Sequence, residues 1–485
     1  MRIAALGAVA ALYTALGGGL GAAQLPADTL VLSLDRCIAV ALNDNPTIRV
    51  ADMEIQRVDY SKKEVIGQLL PSVAFGATYN RTLAKQTMYM NMDGFGSMGS
   101  GGTTGDDEAE QAAAEAKSSA AKRDNGIKMG LDNSWSMGFT ASMPIIAPQL
   151  WKTLRLSDSQ ILQNVESARA SRLSLVNQVK SAYYALLLAI ESKWVMQESY
   201  DNAKVNADIY EKRFQVGTAS EYDVLRSQVA VKNIEPELLQ SDIAIKQASL
   251  QLAILMGIDA SIPLKPDTRL AEYQADMYAE ALGIDRSIEG NTDLRMLDLQ
   301  TRTLNDALTV QKMAWFPTLA LSFNYNWTSM SNGGAFSNFR WNPYSMVGLT
   351  LNIPLFEGGQ RYSRIKQARI QVDEMRWQRE NLERSVRMQV DLAVDNINKN
   401  VKQIASNAES VAQADKAHSI MERSFEIGAA SYLDLNDARL ALTRARLSYY
   451  SSIYNYLIAN SELEYLLGNA DIDRYKALYQ PVTEK

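Results

Sequence analysis

The sequence predicts an α+β membrane protein in which four short strands per chain are joined to helices far longer than those of a globular domain, and in which one unit occurs twice. Three patterns predict it. Landmark residues recur at fixed offsets along the chain. Four stretches of about ten residues alternate strictly between bulky apolar and small polar side chains. Two segments of about 65 residues carry the three-and-four spacing of coiled coils.

The N-terminus points to a compartment. Arg2 is followed by an apolar run from Ile3 to Leu20 and then by Gly21, Ala22 and Ala23, so residues 1–23 read as a secretory signal peptide. No Cys stands at the cleavage site, and no acyl anchor is expected there. Downstream, the best apolar run, Ala182 to Ile190, falls short of the roughly 18 residues of a spanning helix, which leaves a soluble, peripheral or β-barrel protein. Of 485 residues, 49 are Lys or Arg and 55 are Asp or Glu, a net charge of -6 with no basic stripe, so nucleic acid is not an expected partner. One His and one Cys build neither a Cys-rich zinc site nor an intrachain disulfide. Cys37 reads as a small buried hydrophobe, and no metal or cofactor is expected.

The repeat sets the domain plan. Phe214-Gln215-Val216-Gly217 with Ser220 and Asp223 returns as Phe425-Glu426-Ile427-Gly428 with Ser431 and Asp434, 211 residues later, and Leu255-Met256-Gly257 returns as Leu466-Leu467-Gly468 at the same offset. Asn45 and Pro71 match Asn291 and Pro317 at an offset of 246. The first copy therefore holds 35 extra residues, placed in the Met-, Gly- and Ala-rich loop 83–126. The first repeat spans 24–257 and the second 292–468, with an equatorial connection at 258–291 and a tail at 469–485.

Each repeat contributes a β-hairpin, about 72–145 and about 318–355. Val73, Phe75, Ala77 and Tyr79 alternate with small residues, as do Trp135 to Met143, Leu319 to Trp327 and Val347 to Ile353. Bulky side chains opposed by Ser, Thr, Gly and Asn fit lipid on one face and water on the other; the competing reading is a half-buried soluble sheet. After each hairpin comes a long helix. Val176, Val179, Tyr183, Leu186 and Ile190, and Val390, Val394, Ile397, Val401, Ile404, Ala408 and Val411, form its seams. At 1.5 Å per residue these helices reach about 100 Å. One return segment (Ser220 to Met256) and one segment before the strands (Pro46 to Leu70), stacked end to end, match that length. Pro236 inside the first return segment should kink it.

Four strands cannot close a barrel, and open edges in lipid leave backbone groups unsatisfied. Two chains would give eight strands around an interior filled by side chains; three give twelve and a tube. The order Leu70-Pro71-Ser72, Phe316-Pro317-Thr318, Ile353-Pro354-Leu355-Phe356-Glu357-Gly358-Gly359-Gln360 and two Gly-x-x-Ser-x-x-Asp tips resembles the TolC family of outer-membrane efflux proteins over nearly the whole mature chain. The resemblance implies a homotrimeric twelve-stranded barrel in outer-membrane lipid, continued by a coiled-coil α-helical tunnel in the periplasm. It also implies docking on a periplasmic adaptor and an inner-membrane pump. Pro71, Pro317, Pro354, Gly358 and Gly359 are the helix–strand joints. The first-repeat joint departs from the pattern, with Ala147-Pro148 in place of Glu357-Gly358.

At the tips 214–223 and 425–437, Gly217 and Gly428 would end one helix in the left-handed conformation, and Ser220 and Ser431 would cap the next, with Asp223 and Asp434 three residues on. The resemblance adds that the tips, with Gly217, Ser220, Asp223, Gly428 and Ser431, face the adaptor, and that Asp434 and Asp437 line the periplasmic gate. Three copies of these two carboxylates make rings of six charges that bind cations. Ala430 occupies a position where many members have an Arg that ties the closed state.

Other signals carry less. Gly94 to Gly99 fits a dinucleotide pattern but lies in the inserted loop, as do Met88, Met90, Met92 and Met98, which could hold a soft metal, and the Asp106 to Arg123 run. No Walker loop is present, so energy must come from a partner, and the single His418 forms no nucleophile–base pair. The expected function is a passive outer-membrane conduit for efflux or type I secretion, without catalysis; the rival is a periplasmic coiled-coil scaffold without a pore.

Overall fold

The computed structural model describes residues 30–88, 127–275, 286–332 and 340–479. The signal segment 1–23, most of loop 83–126 with Gly94 to Gly99, Met90, Met92, Met98 and Asp106 to Arg123, and the end of the tail lie outside the described residues. The first half forms β1 (Leu30–Leu32), α1 (Leu34–Asp44), α2 (Pro46–Gly67), β2 (Ser72–Arg81), β3 (Gln86–Met88), β4 (Ile127–Met129), β5 (Asn133–Ile146), α3 (Pro148–Gln215) and α4 (Glu221–Met256). Then follow β6 (Leu264–Pro266), α5 (Thr292–Met313), β7 (Thr318–Ser331), β8 (Asn342–Asn352), α6 (Gln360–Glu426), α7 (Tyr432–Leu467) and α8 (Ile472–Ala477). The chain divides into two compact units, one of Met1–Val58, Gln160–Arg302 and Asp373–Lys485, the other of Asp59–Ser159 and Thr303–Val372.

The second of these units holds an antiparallel sheet in the order β2-β5-β7-β8. Its register aligns every alternating row. Phe75 pairs with Phe139, Phe139 with Tyr325, Ala141 with Phe323, and Phe323 with Val347. All the bulky apolar rows therefore share one face, and Gly76, Gly138, Asn326 and Tyr344 run across the other. Aromatic rings gather on the apolar face, Tyr79 on Trp135 at 4.3 Å and Tyr325 on Trp327 at 4.6 Å. Among the described residues, β2 and β8 each have one neighbour in this sheet, so both of its edges are open. β3, inside the stretch 83–126 read from sequence as a loop, pairs in a short ribbon with β4 just beyond the end of that stretch.

Strand entry is built the same way twice. Leu70 N–H donates to Gly67 O and Phe316 N–H to Met313 O, each at 3.1 Å, one residue before Pro71 and Pro317. The exits differ. Residues 353–359 separate β8 from α6, with Gly358 and Gly359 at φ 57° and 78°, and Arg361 donates to Pro354 O at 2.8 Å while its guanidinium stacks over Trp315. In the first repeat Ala147 alone stands between β5 and α3, because Pro148 opens the helix directly with a φ already suited to it.

The other unit is held by a core of helices. Cys37, Ile38 and Val40 of α1 pack with Val176, Val179, Tyr183 and Leu186 of α3, Val390, Val394 and Ile397 of α6, and Ile453 and Tyr456 of α7. Cys37 is 0% exposed, and burial pushes its thiol up to about 12. Tyr183 donates or accepts through one hydroxyl at Leu32 O, Asp267 and Thr268, tying α3 to the parallel pair β1–β6. Arg269 grips the buried Glu191 carboxylate with two bonds of 2.9 and 2.7 Å. One stretch of α3 is apolar enough to cross a membrane by composition alone, and more than half of it is buried, as in a helix packed in a core. α4 runs unbroken past Pro236.

Two asparagines join helices end to end. Asn45 Nδ2 donates to Leu255 O at 2.8 Å, at the end of α4, while its Oδ1 accepts from Thr47 N–H at the start of α2. Asn291 repeats the arrangement between α7 and α5, donating to Leu466 O at 2.8 Å and accepting from Asp293 and Leu294. Each side chain satisfies groups that both helix ends leave without intrahelical partners. The glycine that ends each return helix, Gly257 or Gly468, has a left-handed backbone and lies against the joint.

Candidate functional site at the helical tips

The tips are two copies of one turn. α3 ends at Gln215 and α6 at Glu426, and Gly217 and Gly428 both have φ 77°. Neither glycine has an atom within 4 Å of where a Cβ would sit, so the backbone angle alone calls for Gly. Ser220 Oγ and Ser431 Oγ accept from the N–H groups of Asp223 and Asp434, whose carboxylates accept in return from the serine N–H and hydroxyl. These are complete capping boxes opening α4 and α7. The hydrogen bond from Ser431 holds the Asp434 carboxyl below the usual carboxylate range.

The two acidic residues of the second tip are therefore unlike. Both are exposed, but Asp434 is committed to its cap, whereas Asp437 makes no hydrogen bond or ion pair among the described residues.

Between the tips lies a small aromatic core. Tyr210 and Val224 of the first repeat pack against Phe425, Tyr432 and Leu435 of the second. Tyr210 lies 6.0 Å from Phe425 and 5.3 Å from Tyr432, and the Arg213 guanidinium sits 5.1 Å from the Phe425 ring and 5.8 Å from that of Tyr210. Ala430 packs onto the same cluster. Burial raises the phenols of Tyr210 and Tyr432. Behind Tyr432, Arg439 is buried, and desolvation lowers its guanidinium from its ordinary value. Sequence reading missed Arg439, yet the signal was there. Tyr432, Leu435, Arg439 and Leu442 step by three and four, which puts a charge in a buried seam.

Residues 37–258 and 283–469, most of the chain, match the outer membrane efflux protein family. The chain belongs to that family. The efflux protein is 23% identical over 336 residues to the outer membrane protein TolC of Vibrio cholerae, a match that covers 69% of this chain and 76% of that one. TolC of Escherichia coli is 30% identical over 122 residues, 25% of each chain. Among solved structures, the Campylobacter jejuni CmeC outer membrane channel aligns with a TM-score of 0.67 at 19% identity, covering 91% of this chain and 88% of that one. The efflux protein is thus an outer-membrane channel component of an efflux system, from a family of channels rather than enzymes.

Proposed function

We propose that three copies of the chain close a twelve-stranded barrel in the outer membrane and continue as a helical tunnel through the periplasm, a passive conduit for solutes or type I secreted polypeptides. The observation that carries this reading is the sheet with two edges open among the described residues and one face that carries the bulky apolar rows. An even number of strands per chain lets β2 of one copy meet β8 of the next and keep the antiparallel alternation. A second support lies on α4, where Tyr222, Leu225, Val229, Leu239 and Ile243 are exposed along a three-and-four stripe that also includes Lys232 and Pro236. Such a stripe fits burial against a neighbouring copy. Light scattering of the detergent-solubilised protein, corrected for bound detergent, is expected to give three chains per particle. A stable monomer would overturn the barrel and favour the scaffold.

The tips are then the periplasmic mouth, presented to an adaptor that links the tunnel to an inner-membrane pump, a partnership supported by membership of the family. Asp434 and Asp437 line this mouth as rings of carboxylates, with modest cation preference. The two should separate on mutation. Asp437→Ala is expected to raise conductance at neutral pH and weaken block by divalent cations with little loss of stability. Asp434→Ala should also loosen the start of α7. Because the Asp434 carboxyl is depressed in the folded state, its stabilisation is present above the ordinary carboxylate pKa and is lost as pH falls through the depressed value. Unchanged conductance and block in the double variant, measured in planar bilayers, would remove the carboxylate ring from the mechanism.

A further inference from the structure

Arg439 is 4% exposed, and its Nε and Nη1 have no hydrogen-bond partner among the described residues. Its Nη2 donates to Asn436 Oδ1 at 2.7 Å, a neutral acceptor on the same helix. Beside it the Tyr432 hydroxyl, on a residue 7% exposed, is likewise without a partner. Among the described residues no carboxylate compensates the charge, since Asp434 serves Ser431 and Asp437 forms no ion pair, and Arg226 adds a further positive charge facing Tyr432. A guanidinium stays protonated under these conditions, so a buried charge short of hydrogen bonds lies beside Tyr432 of the cluster that joins the two tips. The same cluster supplies the opposing attraction, through Tyr210, Phe425, Tyr432 and the stacked Arg213.

We propose that Arg439 is a built-in release element: short of partners while the tips pack together, its guanidinium regains hydrogen bonds when they part, and this sets how readily they part. The inference rests on the reading of the tips as the mouth only for its effect on current. Its structural content concerns the contact between the two tips.

The test uses the full-length protein in detergent, with spin labels on Val216→Cys and Ile427→Cys, both well exposed, while buried Cys37 stays unlabelled. Arg439→Met keeps most of the volume and removes the charge, and should shift the ratio of joined to parted tips about tenfold toward joined. Channel current in planar bilayers should fall in parallel. Arg439→Lys should stay close to the parent protein. Asn436→Asp places a carboxylate on the existing partner and should shift distances the same way, which carries the test if Arg439→Met does not fold. Longer or unchanged tip distances in Arg439→Met, or in Asn436→Asp when that variant stands in for it, would overturn the proposal. Shortened distances with unaltered current would uphold it and overturn the tips as the gate.

Discussion

Gly468→Ala is expected to leave little folded protein, whereas Gly428→Ala should fold with a loss of about 1 to 2 kcal/mol. Both glycines have positive φ, 67° and 77°, so the backbone penalty is shared. The surroundings differ. A Cβ on Gly468 would fall 2.1 Å from Gly290 O and 2.7 Å from its carbonyl carbon, and both are backbone atoms that no rotamer change can move. Around Gly428 there is open space. The clash would push α7 away from the joint that Asn291 makes, for a combined loss of more than about 4 kcal/mol. Gly257→Ala should fall between, with its nearest backbone atom at 2.7 Å. Thermal unfolding midpoints and yields from the outer-membrane fraction give the order; a parental midpoint for Gly468→Ala would refute the joint as drawn.

The second large effect belongs to the sheet. Phe139→Arg should block assembly in the outer membrane, and Thr140→Arg, one residue on and on the opposite face, should be tolerated and alter ion selectivity. Phe139 lies on an inner strand between Phe75 and Tyr325, with the Phe75 ring at 5.0 Å and the Trp327 ring at 6.2 Å. In the proposed barrel an arginine facing lipid near the midplane would cost about 2 to 4 kcal/mol per chain, and every copy would carry it. The measurement is the amount of heat-stable oligomer recovered from membranes. Equal recovery of the two variants would mean that the apolar face does not meet lipid.

The sequence made legible what periodicity encodes. A strand's alternation survives in the primary structure because side chains flip at every residue, and Val73 to Tyr79 or Leu319 to Trp327 declare their face without help. Heptad seams such as Val390 to Val411 do the same for helices. Partners chosen across great distances along the chain were not legible. Three-residue β1 pairs with β6 more than 230 positions away, and Arg474 of α8 reaches Asp35 of α1. Neither segment is long enough to carry a period. Asn45 and Asn291 were visible as repeated landmarks, but their role depends on where two helix ends meet. At the tips the capping residues were readable because their bonds span three positions, whereas the contacts of Tyr210 with Phe425 and Tyr432 join separate repeats.

The asparagine joints have a consequence for ancestry. Asn45 binds Leu255 within the first repeat, and Asn291, the residue just before the second repeat, binds Leu466 inside it, so neither joint borrows from the other repeat. Each repeat also supplies two strands of the four-stranded sheet and one tip. A forebear of half this length would have carried its own joint, tip and strand pair, and in the assembly proposed above six such chains, in place of three, would furnish the ring of twelve strands. Duplication and fusion would then have halved the number of pieces to be gathered, and freed the two tips of one chain to diverge. Ser220 and Ser431 still cap alike, but Arg439, which has Gln228 as its counterpart, belongs to one tip alone.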